Sequence, residues 1–166
     1  MSVEFFKRLG WFVALCLVQV LILNHIHLFD VAIPLLYVYF TITFRRGTPK
    51  WMILLWSFAL GLAIDVFSNT PGLVSGSLTL IAVIQPYLLE LFVPRDSAEN
   101  LEASISTLGL GKFVIFCVIL LMIYCLAFFA LEAFSFYNWQ YWLTCAGASL
   151  LLTLVLVMAI ESVRAK

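Results

Sequence analysis

Charged side chains are scarce in this chain. Asp, Glu, Lys and Arg make up 11% of its 166 residues, against about 25% in a soluble domain. That scarcity excludes a solvated globular surface. Nine basic and nine acidic residues cancel to a net charge of zero, so the balance gives no reason to expect nucleic acid. Only two histidines and four cysteines are present. Cys16, Cys117, Cys125 and Cys145 stand within apolar stretches, with no CxxC pair and no Cys/His spacing that suits zinc. They read as small, soft packing residues. His25 and His27 would point in different directions on a helix, which argues against a metal pair. The sequence has no Gly-rich phosphate loop, HExxH, GxSxG or Ser/His/Asp arrangement. It also lacks a polar segment long enough to build an aqueous active site. The expectation is a protein without enzymatic activity, cofactor or metal.

Apolar residues dominate instead, at 64% of the chain. They fall into stretches that predict an all-α, polytopic membrane protein: one transmembrane domain over 1–166, built as a bundle of six transmembrane helices. The predicted helices cover about 9–28, 31–44, 51–67, 73–93, 113–134 and 139–160. A span needs about 20 residues to cross about 30 Å of hydrocarbon. A helix over 31–44 would rise only about 21 Å, and Pro34 lies near its start, with Asp30 as its cap. We therefore expect a hairpin of the first two helices whose tip is sunk into the bundle, because irregular backbone at that depth must be covered by protein or water.

All nine Lys and Arg residues fall on one side of this layout. Lys7 and Arg8 precede the first stretch, and Arg45, Arg46 and Lys50 separate the second and third. Arg95 and Lys112 bracket the fourth gap, and Arg164 and Lys166 follow the sixth stretch. The other connections carry no Lys or Arg. Cationic residues near helix ends are retained on the cytoplasmic side, so both termini are expected there. Lys7 and Arg8 before an apolar run imitate a signal peptide. No small-x-small cleavage site follows, however, and Gln19, Asn24 and His25 interrupt the run, which reads as an uncleaved anchor. Trp11, Trp51, Trp139, Tyr141 and Trp142 near helix ends suit headgroup level.

The longest connection is 94–112. Pro94 stops the fourth helix, and Asp96 followed by Glu99 resembles a capping box. Leu101 and Ile105 share a helical face, and Gly109 and Gly111 would end a short interfacial helix. This stretch reads either as a solvated connector or as a docking site.

Asp65, in GLAIDVFSNTPG, is the outstanding polar residue within a span. It lies near a helix end, where a carboxylate can hold the outer turn through Ser68, Asn69 or Thr70. No second carboxylate stands near it to make a catalytic pair. Ala59 and Ala63, Gly72 and Gly76, and the run Cys145–Ser149 around Gly147 allow close helix approach. These serve either internal packing or partner contact. Gln19 and Asn24 read as cross-helix hydrogen-bonding groups, and Glu90, Glu132 and Glu161 as interfacial.

Taken together, the chain resembles the MreD family of rod shape-determining membrane proteins. The resemblance rests on Gln19 and Pro34, on length and topology, and above all on Gly61, Leu62, Asp65, Phe67 and Ser68 followed by Pro71 and Gly72. It implies a non-enzymatic protein of the bacterial cytoplasmic membrane. The implied partner is MreC, with MreB, RodA and its penicillin-binding transpeptidase as indirect partners in lateral peptidoglycan synthesis. The family is also similar in helix count and general fold to the substrate-binding components of energy-coupling-factor transporters. That similarity implies the alternative of a vitamin-like ligand. A third alternative is a lipid-handling protein with a lateral groove.

Overall fold

The computed structural model describes residues 2–25, 33–133 and 138–166. His27, Asp30 and part of the outer connection at 135–139 lie outside the described residues, as does the side chain of Asn24. Within them the chain is helical. It has an isolated antiparallel bridge between Arg45 and Glu102 and no strand among the described residues. Helix α1 (Ser2–Leu21) leads into a 3₁₀ turn at Leu23–His25, followed by α2 (Val38–Ile42), α3 (Lys50–Ser68), α4 (Leu73–Phe92), α5 (Ile105–Leu108), α6 (Leu110–Ala133) and α7 (Trp139–Arg164). Four of these, α3, α4, α6 and α7, are long and apolar enough to cross a membrane. Helix α1 has the length, but Glu4, Lys7 and Arg8 occupy its first turns.

The packing order follows the chain. Helix α3 lies most closely on α4, α4 on α6, α6 on α7, and α1 on α3. Helices α1 and α7, at the two ends of that row, pack little against each other. Outward-facing side chains are large and apolar, among them Leu55, Val66, Leu91, Leu151 and Val155. Such a surface is a liability in water and matches hydrocarbon in a bilayer.

The segment 34–42 is buried at every position, with Val38 and Ile42 fully so. It fills the interior between the long helices. The helix expected over 31–44 is here reduced to Val38–Ile42. Proline disfavours helical backbone in the residue before it, which keeps Ile33 out of the helix. A proline can itself open a helix, so the later start at Val38 goes with the bonding of the 33–35 backbone to neighbouring helices. The backbone groups left without a helix partner are satisfied by side chains of the surrounding helices. Gln19 Nε2 donates to the Pro34 carbonyl at 2.9 Å, and the N–H groups of Ile33 and Leu35 donate to Ser149 Oγ and Thr153 Oγ1, each at 3.1 Å. At the other end, Gln85 Nε2 donates to the Phe44 carbonyl at 3.2 Å.

The connector also departs from expectation. No helix starts at Asp96. Instead Gly47 N–H donates to Glu99 O at 2.7 Å and Arg46 N–H to Leu101 O at 3.0 Å, which commits the backbone of this stretch to the 45–47 loop. The capping box forms later, at Ser104 and Thr107, and caps the four-residue helix α5. Gly109 ends that helix, whereas Gly111 lies inside α6.

Candidate functional site

Helices α3 and α4 meet where the Gly61–Asp65 segment faces Ser75. A Cβ built on Gly61 would stand 2.4 Å from Ser75 Cα and 2.8 Å from Ser75 N. No side chain fits there, so glycine is what permits the approach. One turn later on the same face, the Asp65 carboxylate reaches the start of α4. Oδ1 accepts from Val74 N–H at 2.9 Å and from Thr70 Oγ1 at 3.0 Å, and Oδ2 accepts from Ser75 N–H at 2.9 Å.

Val74 and Ser75 are the second and third residues of α4, whose first N–H groups have no partner within the helix. The preceding residue, Gly72, has no capping side chain. Asp65 therefore caps a neighbouring helix from within α3, with its negative charge at the positive end of the α4 dipole. The turn between them needs two left-handed residues, Asn69 at φ 55° and Gly72 at φ 82°. Asp65 is itself buried.

The other sequence-selected positions separate by face. Leu62 and Phe67 point outward from α3, and Ser68 is half-buried at its end. Pro71 is exposed in the turn. Ala59 and Ala63 are half-buried. A Cβ on Gly76 would lie in ordinary contact with Leu131 Cδ1 of α6 at 3.7 Å, whereas one on Gly147 would meet nothing within 4 Å. The small-residue run of α7 thus splits: Cys145, Ala146 and Ser149 turn inward, and Gly147 turns outward.

A second set of polar residues shares no motif in the sequence. Each long helix sends at least one polar side chain to the central segment. Thr41 meets Ser57 of α3 at 3.1 Å, and the hydroxyls of Tyr37 and Tyr124 share a hydrogen bond. Tyr39 donates to Glu161 Oε2 at 2.6 Å, and Glu161 Oε1 accepts from Ile105 N–H at 3.3 Å. Glu161 was expected at the interface and is instead 1% exposed. Its signal was available: Ser149, Thr153, Val157 and Glu161 recur every four residues along one face of α7, and all four are buried.

Charges gather at one end of the bundle. Arg45 pairs with Glu4 and, through Nε at 2.7 Å, with Glu102, which also pairs with Arg164. Burial alone would raise the Glu102 carboxyl. The two guanidiniums outweigh it and hold the group below the usual carboxylate range. Hydrogen bonds to Glu102 and Glu4 push Arg45 up.

No group of three or more His, Cys, Asp or Glu residues among the described ones is placed to hold a metal ion. The groups at Asp65 serve capping and close packing, and those around the central segment satisfy buried backbone and hydroxyl groups. Comparison with protein-family models, curated proteins and solved structures returns no match.

Proposed function

We propose that this chain is a non-enzymatic membrane scaffold of the MreD type, resident in the bacterial cytoplasmic membrane and binding MreC. Through that contact it helps organise lateral peptidoglycan synthesis by MreB, RodA and its transpeptidase. The observation that carries this reading is the role of the residues behind the resemblance. Gly61 and Asp65, with the turn through Pro71 and Gly72, fix how two helices meet. They set the shape of a helix face, which is what a scaffold offers a partner. The filled interior agrees with it, since Tyr37, Leu60, Leu78 and Tyr124 leave the centre occupied by side chains. The alternative, a vitamin-binding transporter component, requires several convergent polar groups around a cavity.

In this reading the bundle has six crossings, similar in number to the energy-coupling-factor components. Helix α1 and the segment through α2 supply the two beyond the four apolar helices. Irregular chain can reach up to about 3.3 Å per residue, against 1.5 Å in a helix, so losing helix before Val38 lengthens the reach of that segment. Both termini are cytoplasmic. A periplasm-active reporter should be active when fused after Asn69 and silent after Gly109. The reverse pattern would overturn the topology.

Among the candidate contact surfaces, Gly147 is open to a partner helix and flanked one turn away on each side by exposed Leu143 and Leu151. Gly147→Leu should abolish MreC co-purification from native membranes while the protein stays monodisperse in detergent. Gly76 is also exposed, and a side chain there meets only the tip of exposed Leu131. Gly76→Leu should therefore leave the folded amount unchanged, and it tests whether the α4 face also contacts MreC. If intact protein never retains MreC under mild extraction, the scaffold reading fails. A bound small molecule in the same preparation would put the transporter reading in its place.

A further inference from the structure

The weak packing between α1 and α7 leaves a cleft at the charged end of the bundle. Its volume is about 180 Å³. Four cations line it, Lys7, Arg8, Arg45 and Arg164, against two carboxylates, Glu4 and Glu102. Both carboxylates are already engaged, Glu4 by Arg45 and Glu102 by Arg45 and Arg164. The Arg8 guanidinium is held 4.5 Å over the ring of Phe44, and no ion pair joins it to a carboxylate among the described residues. The positive excess is therefore fixed in place on the cleft wall. Further along α1 the lining becomes largely apolar, with Trp11 and Leu15 against Phe40, Tyr39 and Thr43. The Tyr39 hydroxyl accepts from Arg164 at 3.4 Å and so belongs to the cationic rim.

A cationic rim above an apolar wall, between two helices whose outer faces are apolar, has the polarity of one leaflet of a bilayer. A soluble anion would use only the rim. We propose that this cleft binds an anionic phospholipid, with its phosphate among Arg8, Arg45 and Arg164 and an acyl chain along Trp11 and Leu15. Basic pockets between membrane helices commonly take such headgroups. The Glu4–Arg45 pair is exposed on the Glu4 side, and pairs of that kind contribute little, so an entering phosphate can displace Glu4.

The test uses the full chain in nanodiscs of mixed phosphatidylglycerol and phosphatidylcholine, with retained lipid counted by native mass spectrometry after release. Phosphatidylglycerol should be retained over phosphatidylcholine. Arg8→Gln should weaken that retention about fivefold, the effect of one basic residue beside an anionic headgroup. Glu4→Gln, which frees Arg45, should strengthen it. Arg95→Gln removes the same charge from the connector, outside the cleft, and should leave retention unchanged. A melting curve for each variant in phosphatidylcholine alone separates loss of lipid from loss of fold, and the Glu4 variant tests the site independently should Arg8→Gln unfold. Equal retention of the two lipids, or equal effects of Arg8→Gln and Arg95→Gln, would overturn the proposal. So would full competition by glycerol phosphate, since the site would then take a free anion, or displacement of the lipid only by an acidic protein segment.

Discussion

Gly61→Ala should sharply reduce the thermal stability of the detergent-solubilised protein, although it adds a single methyl group to a helix. In an open helical position the same change is favourable by up to about 1 kcal/mol, because alanine has the higher helix propensity. At Gly61 the new methyl would sit 2.4 Å from a backbone carbon of α4. No side-chain rotation can relieve that contact, so α3 and α4 must move apart, and overpacking of this kind costs about 1–3 kcal/mol or more. The displacement also pulls Asp65 away from Ser75, so the two losses compound. Gly147→Ala is the control, because its methyl meets nothing within 4 Å. It should raise stability slightly, through helix propensity. Opposite signs for two Gly→Ala changes in one bundle, read as melting temperatures side by side, are the expected result. Equal stability of Gly61→Ala and the parent would mean that the close approach is absent in the membrane.

How much of this was legible in the sequence depended on whether the signal was local. The long apolar runs of α3, α4, α6 and α7 declared themselves by composition, and their predicted bounds lie within a few residues of those observed. Asp65 stood out because a carboxylate inside a span is costly. Its attachment to the N-terminus of α4, nine and ten residues on, depends on how two helices meet. No local pattern encodes that.

That a helix over 31–44 is too short for a span is visible in its length alone, about 21 Å of rise. What replaces the missing helix is not. Its backbone bonds go to Gln19, Ser149, Thr153 and Gln85, which lie far away in the chain. Each of these alone reads as an ordinary polar residue in an apolar helix. Only their convergence on one irregular segment gives them a common purpose. The connector failed for a similar reason. Asp96 and Glu99 offered a plausible helix start, but cross-chain bonding to Arg46 and Gly47 won over local propensity.

The geometry at Asp65 also changes what its substitution should do. Read from the sequence, Asp65→Asn should keep much of the function, because an amide retains an acceptor. Both carboxylate oxygens are in use, however: Oδ1 by Thr70 and Val74, Oδ2 by Ser75. An asparagine supplies one acceptor and must turn its NH₂ toward a donor. The substitution should forfeit at least one charge-assisted hydrogen bond, about 1.5–3 kcal/mol, and with it the favourable charge of a buried group at the helix N-terminus, up to about 2 kcal/mol. Asp65→Leu removes all three acceptor contacts and strands two buried backbone N–H groups, each a cost of several kcal/mol away from water. The expected order of melting temperature and folded yield is Asp above Asn above Leu, with Leu close to undetectable in the membrane fraction. Asn indistinguishable from Asp would show that the bond to Ser75 contributes nothing. Asn matching Leu in lost function, with folded amounts equal to the parent, would show that the charge acts beyond the turn, and the capping account would then be wrong.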